Sequence, residues 1–542
     1  MALLDLLNRE ATGSRRDIVI AILVSGAANT VILAVINAAA LTVSQQALNL
    51  RLMLMFVTAM ALYVIGLIYT FDAATQMFEQ MLVSVRIRLA QTISMSELLV
   101  LHQIGKARIY QSITQDTAYI SEAQGLLVAA AQSSVMVLFT ALYVMTLSMP
   151  AFIAIVGVIV AGALIYLSRE QQMTGLMRES AAEEVRFVGM TGDLIDGLKE
   201  IKLSRARRAG LLADIDQAAF SLRDLKIKTT DLYNKNAVFS QSFFYLLLAV
   251  VVFVLPRLLQ GFAHAAPQLV ATILFIIGPL STIVTALPAL TKANRAADSL
   301  VQLEAEIEGI AEGPGAPALA APMAFKTAIR CQGVAFHYPH DDADAFRIGP
   351  IDLTLPKGEI TLFVGGNGSG KTTLLKLIAG LYPLTGGSLS LDGAILRPDR
   401  LQDYRELFGA IFSDFHLFPK LYGIAAEGEA IAAALDRLRI GQKIGYGERG
   451  FTTLDLSTGQ RKRVAMVAAL LEDRPILIFD EWAAEQDPEF RRYFYEVLLP
   501  ELKARGKTLL VATHDDRYFS VADTVVTMEL GRIQSLRRQA AP

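Results

Sequence analysis

Lys371, Thr372, Asp480 and Glu481 carry the sharpest chemistry in this chain, and each closes a run that accounts for it. Lys371 and Thr372 fall in Gly365-Gly366-Asn367-Gly368-Ser369-Gly370-Lys371-Thr372-Thr373, which fits the pattern G-x-x-x-x-G-K-[ST]. Glycines in such a loop let backbone N–H groups curl round phosphate oxygens, and a helix N-terminus behind them adds partial positive charge. The lysine then reaches the outer phosphates and the Thr372 hydroxyl ligates Mg²⁺. Asp480 and Glu481 end Pro475-Ile476-Leu477-Ile478-Phe479-Asp480-Glu481, an apolar run closed by two acids. In a nucleotide-hydrolysing site the first acid holds Mg²⁺, directly or through water, and the second polarises the attacking water. A glycine-rich turn matches the first pattern by chance now and then; the two together, in this order, imply ATP and Mg²⁺.

These residues need elements to hold them. Ile360–Val364 reads as a buried strand before the glycine loop, and Leu374–Ala379 as a helix ending at Gly380. Ile476–Phe479 reads as a second strand and Leu509–Ala512 as a third. An α/β domain is therefore expected over 324–542. Ahead of it, 305–323 turns to Ala, Gly, Pro and Glu, as in Gly313-Pro314-Gly315-Ala316-Pro317, the composition of a linker.

Residues 1–304 are of another kind. The chain is 53% apolar and only 19% charged, with a mean hydropathy of +0.42, values that point to a membrane protein. Net charge is −2, which gives no electrostatic case for nucleic acid as partner. The single cysteine, Cys331, excludes an intrachain disulfide and a cysteine-based metal cluster. Six helical spans are expected at about 18–43, 53–71, 125–148, 151–168, 240–258 and 268–290, each near the ~20 apolar residues that cross a bilayer. Between Gly125 and Ser168 no charge occurs, and Ser148-Met149-Pro150 marks a tight hairpin. Basic residues gather in the N-terminal segment and in the long connections, among them Arg86, Arg88, Lys106, Lys199 and Arg205. By the positive-inside rule both termini, the long connections and the α/β domain face the cytoplasm. Met77–Met95 and Met177–Leu203 mix apolar residues at helical spacing with charges, so the spans are expected to continue as helices and turn back near Gln111–Glu122 and Gly197–Ala209. No span holds a charge deep inside it, which argues against an ion-coupled carrier. Asn29, Asn37, Gln132, Ser133 and Ser134 could line a cavity for an amphipathic cargo or serve helix packing, the commoner use of such groups.

Between the two acidic and glycine-rich motifs stands Leu456-Ser457-Thr458-Gly459-Gln460, followed by Arg461-Lys462-Arg463. With this run the domain resembles the nucleotide-binding domain of ABC transporters, whose signature is close to LSGGQ. The resemblance implies a six-span α-helical transmembrane domain fused to an α/β P-loop ATPase, in exporter order. It implies that Ser457, Gly459 and Gln460 face the ATP held by the P-loop of a second subunit, so that the working unit is a homodimer. It further assigns Tyr338 to stacking on adenine, Asp487 to the link between the two sites, and His514, beside the catalytic Glu481, to the γ-phosphate. A glutamine usually stands near the metal; here Ile411-Phe412-Ser413-Asp414 puts Ser413 there, so that any side-chain contact to Mg²⁺ would be the serine's. The stretch from Ser413 to Leu456 is short, which implies a trimmed helical subdomain. Ser413, the signature and Asp480-Glu481-Trp482-Ala483-Ala484-Glu485-Gln486-Asp487-Pro488 together resemble bacterial exporters of cyclic peptides and peptide siderophores, of the pyoverdine and lasso-microcin type. The expected location is the bacterial inner membrane. Export of lipid or of a hydrophobic drug is the alternative, and an ATP-gated channel a more distant one.

Overall fold

The computed structural model describes residues 2–10, 15–42, 49–168, 170–254, 257, 266–308, 323–338 and 346–539. The outer ends of the expected first and fifth spans (Val43; 255, 256 and 258) and most of the expected linker, 309–322, lie outside these residues. Two compact units form: Met1–Ala90 with Ala107–Ala305, and Gln91–Lys106 with Glu306–Pro542.

From residue 2 to 308 the described chain is helical: α1 Ala2–Glu10, α2 Arg15–Thr42, α3 Leu50–Met95, α4 Leu98–Ile104, α5 Lys106–Gln111, α6 Thr117–Leu147, α7 Met149–Ser168, α8 Glu170–Asp196, α9 Leu198–Leu203, α10 Arg205–Ala249 and α11 Ala266–Glu308. Among the described residues five stretches are long and apolar enough to cross a membrane: Arg15–Ala40, Leu50–Met95, Lys106–Leu147, Arg205–Val254 and Pro267–Ile307. Met149–Gly162 is a shorter apolar helix. The expected turn at Gln111–Glu122 is not there. That segment is helical throughout, with one π-turn at Ser112–Asp116, and the chain reverses at Ser96–Gly105 instead. Gly105 breaks the helix with φ +83°, a conformation that glycine adopts freely. The polar residues around 111–122 are there to pack: Arg86 donates to Thr117 Oγ1 at 2.9 Å, and Ser121 to Glu79. The second reversal, Gly197–Ser204 around α9, falls where it was expected.

Within the first unit the polar groups of the spans bond helix to helix. Asn37 Nδ2 on α2 donates to Tyr143 and Thr272 hydroxyls, both at 3.3 Å, and Gln132 Nε2 to Ser25 Oγ at 3.4 Å. For these two the packing use prevails over cavity lining. Pro279 and Pro288 both sit inside α11. The short helix α1 is pinned by Leu3 and Leu6 against Phe78, Met81, Leu82 and Val85 of α3 and Ala293, Ala297 and Leu300 of α11. Beside that contact Glu304, its side chain 5% exposed, takes Arg9 at 3.3 Å and Arg88; Arg88 also reaches Glu10.

The second unit is α/β. β1 Ala328–His337, β2 Arg347–Pro356, β4 Gly386–Leu391 and β5 Ala394–Ile395 form an antiparallel sheet in the order β2-β1-β4-β5. The main sheet contains β3 Ile360–Val364, β6 Phe408–Ile411, β9 Ile476–Asp480, β10 Thr508–Thr513, β11 Thr524–Glu529 and β12 Arg532–Arg538, in the order β12-β11-β3-β10-β9-β6. A small hairpin, β7 Tyr446–Gly447 and β8 Gly450–Phe451, lies apart. All but the edge strand β12 run parallel, and β3, β9 and β10 are buried at every position, which is why each reads as an unbroken apolar run. The helices are α12 Lys371–Ile378, α13 Leu401–Arg405, α14 Gly428–Arg437, α15 Thr458–Leu471, α16 Pro488–Tyr493 and α17 Leu499–Ala504. Between Ser413 and Leu456 only α14 is an α-helix among the described residues, in keeping with the trimmed subdomain. Leu99 of α4 is buried in the core of this unit with Phe325, Ile329 and Leu353.

Candidate functional site

The register of the main sheet assembles the site. Thr513 of β10 stands opposite Val364 of β3, and Ala512 opposite Asp480 of β9. The three strands therefore end together, and their C-terminal ends deliver the glycine loop, Asp480-Glu481 and His514 to one rim. The C-terminal edge of a parallel sheet is where open α/β folds bind ligands. β6, on the far side of β9, brings Ser413 to the same rim.

The glycine loop turns through Gly365, Gly368 and Gly370 with φ of +152°, +75° and +98°. At Gly365 a Cβ would lie 2.2 Å from the carbonyl oxygen of Met528, so backbone meets backbone there and only glycine fits. α12 starts at Lys371 and ends against Gly380, whose φ of +69° is the left-handed helix stop. Lys371 is 4% exposed; its Nζ donates to the carbonyls of Gly365 at 3.0 Å and Gly366 at 3.2 Å. Burial pulls the Lys371 ammonium below its ordinary pKa, and the carboxylates of Glu481 and Asp480 work in the opposite sense. Thr372 Oγ1 donates to both oxygens of Asp480, at 3.0 and 2.9 Å. The backbone N–H of Ser413 reaches Asp480 Oδ2 at 3.2 Å. Glu481 Oε1 lies 2.7 Å from His514 Nε2 and 3.8 Å from Lys371 Nζ. A cleft of about 400 Å³ opens beside Glu481 and His514, walled by Ala484, Arg491 and Asp515. Tyr338 OH is 3.2 Å from Thr373 Oγ1, and its ring stands edge-on to Phe336.

The residues fit a nucleotide with Mg²⁺. Ser369 Oγ is buried with no partner in the loop that would wrap the phosphates, and Gly366 and Gly368 face open space. Thr372 and Asp480 offer the hard oxygen donors that Mg²⁺ takes, few in number because phosphates and water complete its shell. Lys371 has its donors ready on loop carbonyls, from which it can turn to phosphate oxygens.

Ser457, Gly459 and Gln460 stand at the start of α15. Ser457 caps the helix, its Oγ accepting from Gln460 N–H at 3.4 Å while its own N–H donates to Gln460 Oε1 at 3.2 Å, a reciprocal capping box. A Cβ on Gly459 would come within 2.7 Å of the Glu485 carbonyl oxygen, so the glycine is set by close approach. Asp487 caps α16 through Phe490 N–H at 2.8 Å and pairs with Arg463 at 2.5 Å; these donors hold its carboxyl below the usual range.

Sequence reading gave no role to the residues that tie these groups together. Gln486 Nε2 donates to the Gly459 carbonyl at 3.0 Å, and Arg463 Nε to Gln486 Oε1 at 2.8 Å. Lys462 Nζ donates to the Glu481 carbonyl at 3.0 Å, and Trp482 Nε1 to the Lys462 carbonyl at 2.9 Å. Three basic residues in a row after a signature read as a solvated helix face; nothing in the sequence marks Lys462 as buried.

Comparison with known proteins agrees with this geometry. The family described as ABC transporter matches residues 348–484. The chain is 33% identical over 531 residues to the ATP-binding protein SyrD of Pseudomonas syringae pv. syringae, covering 95% of this chain and 92% of that protein. It is 30% identical over 262 residues to an ATP-dependent lipid A-core flippase of Chromohalobacter salexigens, covering 45% of this chain and 44% of the flippase. Among solved structures, a bacterial Atm1-family ABC exporter with ATP bound shares the fold with a TM-score of 0.78 at 17% identity, covering 97% of this chain and 95% of that one. An ATPase domain joined in one chain to apolar helices long enough to cross a membrane has the fold of an ABC exporter, with ATPase activity coupled to transport. The chain belongs to the ABC transporters and has the fold of an ABC exporter.

Proposed function

We propose that two copies of this chain form a homodimer in the bacterial inner membrane and export a cyclic peptide or peptide siderophore, with termini and ATPase domains in the cytoplasm. The observation that carries the cargo class is Ser413 in the place of the usual glutamine, together with the signature Leu456–Gln460 and the run Asp480–Pro488. A similarity to a Pseudomonas protein over almost the whole chain supports treating both halves as one exporter.

In this reading Tyr338 stacks on adenine, and the loop Gly365, Asn367, Gly368, Ser369, Gly370, Lys371, Thr372 and Thr373 holds the phosphates. Thr372 and Asp480 would hold Mg²⁺, which when bound would supply charge that neutralises the phosphate oxygens. Ser413 serves this shell through its N–H to Asp480, and its hydroxyl stands where the usual glutamine would meet the metal. Glu481 takes a proton from water and His514 keeps the carboxylate aimed. Ser457, Gly459 and Gln460 close the partner's site, and Asp487 links the two. Closure of the ATPase pair then opens the membrane cavity outward.

A second reading, export of a lipid, is favoured by the flippase similarity, which spans less than half of either chain. ATPase assays in proteoliposomes separate the two. Cyclic peptides should stimulate turnover of the parental protein, and Glu481→Gln should bind ATP without turnover. Stimulation by lipid with none by any cyclic peptide would overturn the cargo class, and parental turnover in Glu481→Gln would overturn the catalytic assignment.

A further inference from the structure

We propose that Lys462 is a positioning residue for Glu481, holding the catalytic carboxylate in place through its backbone. The proposal rests on the reading of Glu481 as the general base. Glu481 has φ +50° and ψ +31°, a left-handed conformation that a side chain of its size rarely adopts. Two main-chain bonds hold it there. Its N–H donates to the Ala512 carbonyl at 3.1 Å, and its carbonyl accepts from Lys462 Nζ at 3.0 Å. The first anchors Glu481 to β10, next to His514; the second fixes the peptide plane that follows it.

Lys462 is 3% exposed. A buried ammonium is costly unless paired and hydrogen-bonded, and an apolar side chain of similar length would fill the space without that cost. The charge therefore points to a specific use. Its partners are the Glu481 carbonyl and, at 3.6 Å, the Glu485 carboxylate, both on the segment that carries the general base. The contact is reciprocal: Trp482, the next residue after Glu481, donates its Nε1–H to the Lys462 carbonyl. Lys462 sits on α15, five residues after Ser457, so a shift of the signature helix is felt at the carbonyl of Glu481 in the same subunit.

The test uses the full-length protein and its MgATP dependence. Lys462→Met should lower kcat by on the order of 10- to 100-fold, as expected when a catalytic group shifts by about 1 Å, with KM for ATP changed less than about twofold. Lys462→Arg, which keeps a cationic donor, should recover part of kcat. Parental kcat in Lys462→Met overturns the proposal. So does a loss of kcat accompanied by an equal loss of ATP affinity, the mark of a purely structural role. Should Lys462→Met fail to fold, Lys462→Gln decides: the neutral, shorter side chain should lower kcat at least threefold at unchanged KM, and parental kcat overturns the proposal. Glu481→Gln separates the layers. If it turns over at the parental rate, the general-base reading falls and this proposal with it; if it is inactive while Lys462→Met is fully active, only this proposal falls.

Discussion

Cys331 offers a direct measure of how firmly the ATPase domain is closed, because it is the one cysteine in the chain. It lies on β1, 3% exposed, paired across the sheet with Leu353 and Leu389. Burial pushes its thiol from 9.0 up to about 12. At pH 8 a thiol at 9.0 is about one-tenth thiolate, whereas one at about 12 is about one part in 10⁴. Since the thiolate is the reactive form, ionisation alone should slow alkylation by about 10³-fold relative to the unfolded chain, before any steric exclusion. The sign for stability follows from proton counts. Well below pH 9.0 the thiol is neutral in both states and contributes nothing; as pH rises through 9.0 towards about 12 the unfolded chain ionises first and stability falls. The assay is iodoacetamide labelling of the native protein at pH 8, followed by mass spectrometry, against the same protein in denaturant. Because Tyr338 directly follows β1, saturating MgATP should slow labelling further. At a ligand concentration of 100 Kd the linkage is worth about 2.7 kcal/mol, or roughly 10²-fold if the labelled state does not bind nucleotide. Native labelling within tenfold of the denatured rate would refute the burial argument, and a rate indifferent to MgATP would refute the link between β1 and the nucleotide.

Two further substitutions test the architecture. Gly459→Ala drives a Cβ into the Glu485 carbonyl; we expect a loss of about 1–3 kcal/mol in the α15 contact and at least a tenfold fall in ATPase rate, with ATP binding to the same chain's P-loop retained in an equilibrium binding assay. Glu304→Ala removes the buried partner shared by Arg88, which keeps Glu10, and by the half-exposed Arg9; we expect a loss smaller than the ~3 kcal/mol of an uncompensated buried charge, seen as a drop in the melting temperature of the solubilised protein, while charge-preserving Glu304→Asp should lose less.

The motifs were legible because each follows a fully buried parallel strand, which writes itself as an apolar run with its chemistry at the end. Ile360–Val364 and Ile476–Phe479 could be read from this alone. Their placement on either side of β10 could not, since the order β3-β10-β9 is set by crossovers: β10 pairs with β9, the strand before it in sequence, and with β3, which is far from it in sequence. The reversal at Ser96–Gly105 was missed for a related reason. Leu98-Leu99-Val100-Leu101 has helical spacing and is in fact a helix, but it is buried in the core around Phe325 and Ile329, a destination that local pattern does not carry. Gln111–Glu122 misled in the opposite way: its polar groups looked like a turn and are instead partners for Arg86 and Glu79. Lys462 and Gln486 lay in plain view beside recognised motifs, yet burial of a lysine leaves no trace in the letters around it.

The capping box at Ser457 has a consequence for recognition of an anion. A hydroxyl has one hydrogen to give and lone pairs to receive with. At Ser457 one lone pair is taken up by the Gln460 N–H, and the hydrogen is free to turn outward. The helix start thus presents a hydroxyl whose oxygen is already tethered and whose hydrogen can be given to an incoming phosphate oxygen.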